Sequence, residues 1–352
     1  MHRIVVDLND RRPIWAIPDW AVRELEEALP QGWILIQTKA LADGSGDGRR
    51  SPVPEVLEAV AGAQIYVGFG VPPEILEAGA DTLEWVHTGT AGVGSSLHDA
   101  MRASNVLFTN SAGIHGPPMA ETVLGMLLHF YRGLDFAVAG QAEAHWNTGP
   151  YLSADTPVGE LSSATVGILG YGGVGREIGK RLRALGSRVL GLKRRPPEGA
   201  GGEGGTPVDD YGVHLLHGEE GLQKLLAASD ALVISVPDTP ATRGLMDRSR
   251  IRSLRPGTIL VNVARGNVVD EDALAQALAD GHLRGAGLDV FQREPLPEDS
   301  PLWRLSNVLI TPHVSGVSRG FWRRELDLVL ENFRRYREGR SLLNEVDLEA
   351  GY

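Results

Sequence analysis

Short apolar runs alternate with stretches whose apolar residues recur every three or four positions, and this alternation continues to the end of the chain. A short apolar run between turn signals suits a strand buried on both faces, whereas the longer spacing marks one stripe of a helix. Strands are expected first at Ile4–Val6, Trp33–Ile36, Ile65–Val67, Leu83–His87 and Val106–Thr109, with helices at Ala21–Leu29, Val53–Val60, Pro73–Ala78 and Ser96–Arg102. Such alternation argues for a parallel sheet with helices on its faces. After a strongly apolar helix at Ala120–Leu134, strands follow at Thr165–Leu169, Arg188–Leu192, Ala231–Val236, Thr258–Asn262, Gly287–Val290 and Val308–Ile310. Helices fall near Gly221–Ala228 and Glu271–Ala279, the second opened by Asp270 as cap. A final amphipathic helix, Gly320–Glu338, is expected to cross back onto the first unit. The stretches 43–50 and 196–206 read as glycine-rich surface loops, and Asp135–Pro157, with few regular signals, reads as an arm.

One stretch organises the rest. Thr165–Gly186 runs from an apolar strand through Gly170, Gly172 and Gly175, spaced G-x-G-x-x-G, into a helix with Val174, Ile178 and Leu182 on one face. A strand that turns on glycines into a helix points free N–H groups at one spot, where the helix dipole adds roughly half a positive charge. That is the fingerprint of a dinucleotide site, with Gly170, Gly172, Gly173, Val174 and Gly175 around the pyrophosphate. The alternative is a glycine turn in an ordinary strand–helix unit. The next strand ends in Lys193-Arg194-Arg195, where an NAD site carries an acidic residue. Guanidinium groups can clasp a ribose 2′-phosphate, so NADP(H) is expected in preference to NAD(H), which stays possible.

Composition narrows the class. At 352 residues, two domains are the natural expectation. A formal net charge of −11 argues against nucleic acid or an anionic membrane surface as a general partner. No apolar run approaches the ~20 residues of a membrane span, and the first residues, MHRIVVDLND, lack a signal pattern. Cysteine is absent, which removes disulfides, thiolate chemistry and Cys-based zinc sites, and no histidine spacing suggests a metal. A cytoplasmic location fits this usage.

Four further segments carry candidate chemistry: TGTAGVG at Thr88–Gly94, VNVARGNVVD at Val261–Asp270, GLDVFQREPL at Gly287–Leu296 and TPHVSG at Thr311–Gly316. Each lies at or beyond the carboxyl end of an expected strand, where open α/β sheets bind ligands. With these motifs in this order, the chain resembles the D-isomer-specific 2-hydroxyacid dehydrogenases, glyoxylate/hydroxypyruvate reductases among them. The resemblance implies two Rossmann-like domains with the active site in the cleft between them. One is a six-to-seven-stranded dinucleotide-binding domain at 113–313; the other is a smaller flavodoxin-like catalytic domain at 1–112 and 314–352. The 135–157 arm would then serve a homodimer.

The same resemblance assigns roles. His313 would be the general acid, Glu294 the carboxylate that favours its imidazolium form, and Arg265 the grip on the substrate carboxylate. Backbone N–H groups of Ala91, Gly92 and Val93 would hold that carboxylate too. Asp289 would orient the nicotinamide carboxamide, and Val236, Pro237, Thr242, Val263 and Ala264 would line the cofactor. Bland roles exist for each member: a surface ion pair for Arg265, a loop acid for Glu294, a turn histidine for His313. His87, His115 and His129 read as structural or solvated. The implied reaction moves a hydride between the nicotinamide and a small 2-oxo or D-2-hydroxy acid. Glyoxylate or hydroxypyruvate is favoured by an expected glycine-lined pocket near Val67–Gly70. The alternatives are oxidation of another donor such as phosphite, or a corepressor-like interaction protein that binds dinucleotide and peptide. The stretch Asn110–Glu121, with His115 and a Pro-Pro pair, departs from the family pattern.

Overall fold

The computed structural model describes residues 1–42, 51–196 and 207–351, so the loop readings at 43–50 and across most of 196–206 lie outside it. The chain divides into two compact units, Met1–His115 with Val317–Tyr352, and Gly116–Gly316.

The first unit holds strands β1 (His2–Asp7), β2 (Asn9–Asp10), β3 (Trp33–Gln37), β4 (Leu41–Ala42), β5 (Ile65–Gly68), β6 (Trp85–Thr88) and β7 (Leu107–Asn110). Five of them form a parallel sheet ordered β3-β1-β5-β6-β7, the flavodoxin-like order, while β2 and β4 pair separately. Its helices are α1 (Asp19–Glu27), α2 (Pro54–Val60), α3 (Pro73–Ala78) and α4 (Asp99–Ala103). The sheet is buried on both faces, so its strands are continuous apolar runs such as Ile4, Val5 and Val6, all fully buried.

The second unit begins with α5 (Gly116–Tyr131), α6 (Leu134–Ala142) and α7 (Gly149–Leu152). Its strands are β8 (Thr165–Leu169), β9 (Arg188–Lys193), β10 (His214–His217), β11 (Ala231–Ile234), β12 (Thr258–Asn262), β13 (Leu283–Leu288) and β14 (Val308–Ile310). Helices α8 (Gly173–Ala184), α9 (Gly218–Ala228), α10 (Arg248–Ser253) and α11 (Glu271–Ala279) connect them. All seven strands are parallel, ordered β10-β9-β8-β11-β12-β13-β14. The order reverses between β8 and β11, and the glycine stretch begins at the end of β8, at that switch point. One face of the sheet is closed by α5 and α8 through Met126, Phe130, Ile178 and Leu182, the other by α9 and α11 through Leu222, Leu225, Leu274 and Leu278.

Several elements differ from the sequence reading. β10 was not expected: its alternating burial at a sheet edge leaves no apolar run. Helix α5 starts at Gly116, ahead of its apolar stretch, and the expected 96–102 helix splits into a 3₁₀ turn at Gly94–Ser96 and α4. The arm contains two helices, α6 and α7, whose apolar residues show no stripe. At Gly68, within the stretch Val67–Gly70 expected to line a pocket, the space beside the glycine is taken by Tyr66. A Cβ there would overlap the Tyr66 ring, whose hydroxyl donates to Asp7 at 2.9 Å.

The last helix, α12 (Phe321–Arg337), belongs to the first unit and buries Phe321, Trp322, Leu326, Val329 and Phe333. Glu325, 1% exposed, stands on that apolar face. His87 Nε2 lies 3.0 Å from its Oε1 and Ser111 Oγ donates to its Oε2 at 2.7 Å. His87 Nδ1 lies 2.8 Å from Thr109 Oγ1, which also accepts from Trp85 Nε1. The hydroxyl proton of Thr109 is therefore free to go to Nδ1, leaving Nε2–H to donate to Glu325. Replacing Glu325 by Leu removes the shared acceptor and leaves His87 Nε2 only the Ser111 hydroxyl at 3.2 Å, and that hydroxyl the Thr88 carbonyl at 3.1 Å. Unfolding free energy in denaturant titration should fall by about 2 kcal/mol. A change under about 0.5 kcal/mol, the surface norm, would contradict this reading.

Candidate active site

The glycine elbow has the geometry that the spacing implied. Gly170 has φ +102°, a left-handed conformation, and a Cβ on it would stand 2.7 Å from the N of Val236. A Cβ on Gly175 would overlap the carbonyl oxygen of Gly170, so this glycine lets α8 press against the end of β8. At Gly172 an added Cβ would meet nothing within 4 Å, so the backbone there lies open in front of α8. The first N–H groups of a helix have no partner within it, and here they face that open space. The Ser235 hydroxyl donates to the Gly170 carbonyl at 2.9 Å and ties the elbow to the end of β11. This cradle, held by the close backbone contacts at Gly170 and Gly175 and open in front of Gly172, fits a dinucleotide pyrophosphate.

The other expected cofactor residues follow the carboxyl ends of neighbouring strands. Lys193 ends β9, and Arg194 and Arg195 are exposed just beyond it. Val236 and Pro237 follow β11, with the Thr242 hydroxyl donating to the Pro237 carbonyl at 2.6 Å. Val263 and Ala264 are buried beyond β12.

Arg265 sits where β12 turns toward α11. Asn262, a residue the sequence reading passed over, shapes that turn: its Oδ1 accepts from the Ala264 N–H at 3.0 Å and its Nδ2 donates to the Arg265 carbonyl. The next residue, Gly266, has no room for a Cβ, which would overlap the backbone of Phe291. This contact draws the Arg265 turn against the loop after β13, which carries Glu294. A glycine directly after the arginine was the available signal. Arg265 Nη1 donates to the Ala264 carbonyl at 2.8 Å.

Glu294 and His313 are brought together directly, with His313 Nδ1 2.7 Å from Glu294 Oε2. Glu294 Oε1 accepts from the Phe291 N–H at 3.0 Å. Burial acts to raise the Glu294 carboxyl, but the hydrogen bonds from His313 and Phe291 and the charges of His313 and Arg265 outweigh it and hold it below its ordinary value. The carboxylate is then acceptor only, so His313 Nδ1 carries the proton between them, and Nε2 is left for a ligand.

His313 has φ +54°, rare for a side chain of its size, and Asp289 accounts for it. Fully buried at the end of β13, the Asp289 carboxylate accepts from the Thr311 hydroxyl (2.6 Å), the Val314 N–H (2.9 Å) and the Ser315 N–H (3.0 Å). Its backbone carbonyl takes the His313 N–H at 2.8 Å. The sequence reading assigned this carboxylate to a carboxamide; in the fold both oxygens are engaged by the turn that presents the imidazole.

In the first unit, Ala91, Gly92 and Val93 follow β6. The turn is fastened by the Thr90 hydroxyl donating to the Gly92 carbonyl at 2.7 Å and by Asn110 Nδ2 donating to the Ala91 carbonyl at 3.0 Å. No acceptor among the described residues takes the N–H of Ala91, Gly92 or Val93. No cluster of three metal-ligating side chains occurs among the described residues, and none of their helices is long and apolar enough to cross a membrane.

With this geometry in hand, residues 124–315 match the family model for the D-isomer specific 2-hydroxyacid dehydrogenase, NAD binding domain. The chain belongs to the D-isomer-specific 2-hydroxyacid dehydrogenase family. A dehydrogenase of this family from Xanthobacter autotrophicus Py2, solved in complex with NADPH and MES, is similar in structure, with TM-score 0.77 and 32% identity over 100% of this chain and 99% of that one. Glyoxylate/hydroxypyruvate reductase A of Photorhabdus laumondii is 31% identical over 82% of this chain and 87% of its own length. D-3-phosphoglycerate dehydrogenase of Methanocaldococcus jannaschii is 30% identical over 84% of this chain, which spans only 53% of that protein.

The pairing of Glu294 with His313 has a pH signature. A carboxyl held below its ordinary value in the folded state stabilises the fold above its unfolded value, and loses that contribution as pH falls through the lowered one. The stability difference between wild type and Glu294→Gln should therefore be full at neutral pH and shrink below about pH 4.3. Denaturant titrations across pH check this; a difference that does not change with pH would contradict it.

Proposed function

We propose that this protein is an NAD(P)-dependent oxidoreductase that interconverts a small 2-oxo acid and its D-2-hydroxy acid, with NADP(H) preferred. The observation that carries the reading is the His313–Glu294 hydrogen bond at 2.7 Å on the rim that also carries the glycine elbow and Arg265. The bound dinucleotide supplies or accepts the hydride at the substrate's second carbon.

The rest is done by the chain. His313 Nε2 donates a proton to the carbonyl oxygen as it gains charge, and takes it back in the reverse direction. Glu294, kept ionised, fixes the ring through Nδ1 and stabilises its cationic form. The guanidinium of Arg265 binds the substrate carboxylate and polarises the adjacent keto group. In the first unit, the open N–H groups of Ala91, Gly92 and Val93 are donors for an anionic group. Asp289 holds the imidazole in place from below, in addition to the cofactor contact that the family likeness assigns to it.

Glyoxylate and hydroxypyruvate are the first substrates to try. Their support is now the likeness to the Photorhabdus reductase, because Gly68 makes room for Tyr66 and not for a ligand. The likeness to a phosphoglycerate dehydrogenase puts larger 2-hydroxy acids in the same panel. For cofactor choice, the support is the exposed Arg194–Arg195 turn and the NADPH-bound Xanthobacter structure. Exposed Val138, Trp146 and Leu152 along the 135–157 arm support a homodimer built on it. A cytoplasmic location fits a chain without cysteine.

The test follows cofactor absorbance with a panel of 2-oxo acids under NADPH and NADH, wild type beside His313→Ala. Turnover of at least one small 2-oxo acid is expected, with NADPH favoured, and a kcat about two to four orders of magnitude lower in the variant. Near-normal turnover in His313→Ala would remove the histidine from the chemistry. Failure with every 2-oxo acid would remove the reaction.

A further inference from the structure

The turn after β6 owes its open donors to the way its carbonyls are tied. Three consecutive carbonyls each accept from a named donor. That of Thr90 takes the Ser111 N–H at 3.1 Å, that of Ala91 takes Asn110 Nδ2 at 3.0 Å, and that of Gly92 takes the Thr90 hydroxyl at 2.7 Å. In a planar trans peptide the C=O and the N–H that follows it point in opposite directions, and these three peptides are trans. Tying the carbonyls of residues 90, 91 and 92 therefore turns the N–H groups of Ala91, Gly92 and Val93 the other way. No acceptor among the described residues takes them there. Successive N–H groups left open in a turn suit an anion.

The three peptides are not held alike. Main chain fixes the first, whereas among the described residues one side chain each fixes the second and the third. Gly92 stands between those two planes and, having no Cβ, resists the rotation of either one least. The Thr88 hydroxyl accepts from the Gly70 N–H at 3.0 Å and gives its own proton to Thr90 Oγ1 at 3.0 Å, so the Thr90 proton goes to Gly92. Asn110 is buried, and its Oδ1 accepts from the Ala112 N–H at 3.1 Å, which leaves Nδ2 for the Ala91 carbonyl. We propose that Thr90 and Asn110 are positioning residues for substrate binding: each holds one peptide plane of the turn so that its N–H meets the substrate carboxylate. The inference rests on the reading of this turn as a carboxylate site. Losing either tie frees a donor to turn away, which weakens binding and raises KM. A side chain that merely stabilised the fold would lower the amount of active enzyme, and so the apparent kcat, without moving KM.

The experiment measures kcat and KM at saturating NADPH for glyoxylate, or for hydroxypyruvate where it is the better substrate. The proteins are wild type, Thr90→Val, Thr90→Ser, Asn110→Ala and a chain carrying the α-hydroxy acid analogue of valine at position 93, which replaces that N–H by an ester oxygen. Thr90→Val keeps the shape and loses the hydroxyl; it is expected to raise KM about tenfold, the worth of one hydrogen bond, with kcat changed less than about twofold. Thr90→Ser, which keeps the hydroxyl, should restore KM. Asn110→Ala is a second variant with the same expectation as Thr90→Val, and the ester should raise KM as well. With KM raised by the ester, an unmoved KM in Thr90→Val and Asn110→Ala, a fall in kcat alone, or no rescue by serine overturns the positioning role and leaves the carboxylate site standing. An unchanged KM in the ester protein overturns the carboxylate site itself, and the positioning role with it.

Discussion

A buried carboxylate holds the candidate site together. Asp289, at the end of the strand Leu283–Leu288, receives three hydrogen bonds from the turn that follows the neighbouring strand, and its own carbonyl receives the His313 N–H. A buried carboxylate is costly unless it is well supplied with donors, so the turn cannot move away without leaving a charge unpaired. That constraint keeps His313 in a left-handed backbone conformation and aims Nδ1 at Glu294. Pairing with the imidazole and the nearby Arg265 charge then keep Glu294 ionised against the effect of its burial. The orientation of the histidine descends from the aspartate beneath it, and its tautomer from the glutamate beside it.

The scaffold makes this possible through backbone approach. Seven parallel strands bring their carboxyl ends to one edge, and the order reverses beside β8. Glycines appear where two backbones must touch: Gly175 against Gly170, and Gly266 against Phe291. The first contact forms an anion cradle in front of a helix. The second draws the Arg265 turn to the Glu294 loop. Neither contact tolerates even one methyl group, so the positions of the cation and the acid are set by main chain and not by flexible side chains.

Much of this was legible in the sequence. The strands buried on both faces announce themselves as apolar runs, and the glycine fingerprint has its strand and helix where the spacing requires them. The site motifs also fall at strand ends as expected. What escaped the reading depends on partners distant along the chain. The edge strand His214–His217 offers only Leu215 and Leu216 between two histidines, one leucine for each face of the sheet. Asn262 looks like any polar strand end until the Arg265 turn folds onto it. His87 pairs with Glu325, 238 positions later, which no local pattern connects. Gly68 resembled pocket lining because glycine signals only that space is needed; here the claimant is Tyr66 of the same strand.

The central claim is that a proton from His313 and a hydride reach the same carbonyl. The most direct measurement uses NADPH deuterated at the transferring position of its nicotinamide ring, with the product of the best 2-oxo acid examined by NMR. The account predicts deuterium bonded to the second carbon of a product of D configuration. Cofactor oxidation that leaves no deuterium on that carbon, or a product of L configuration, would contradict it.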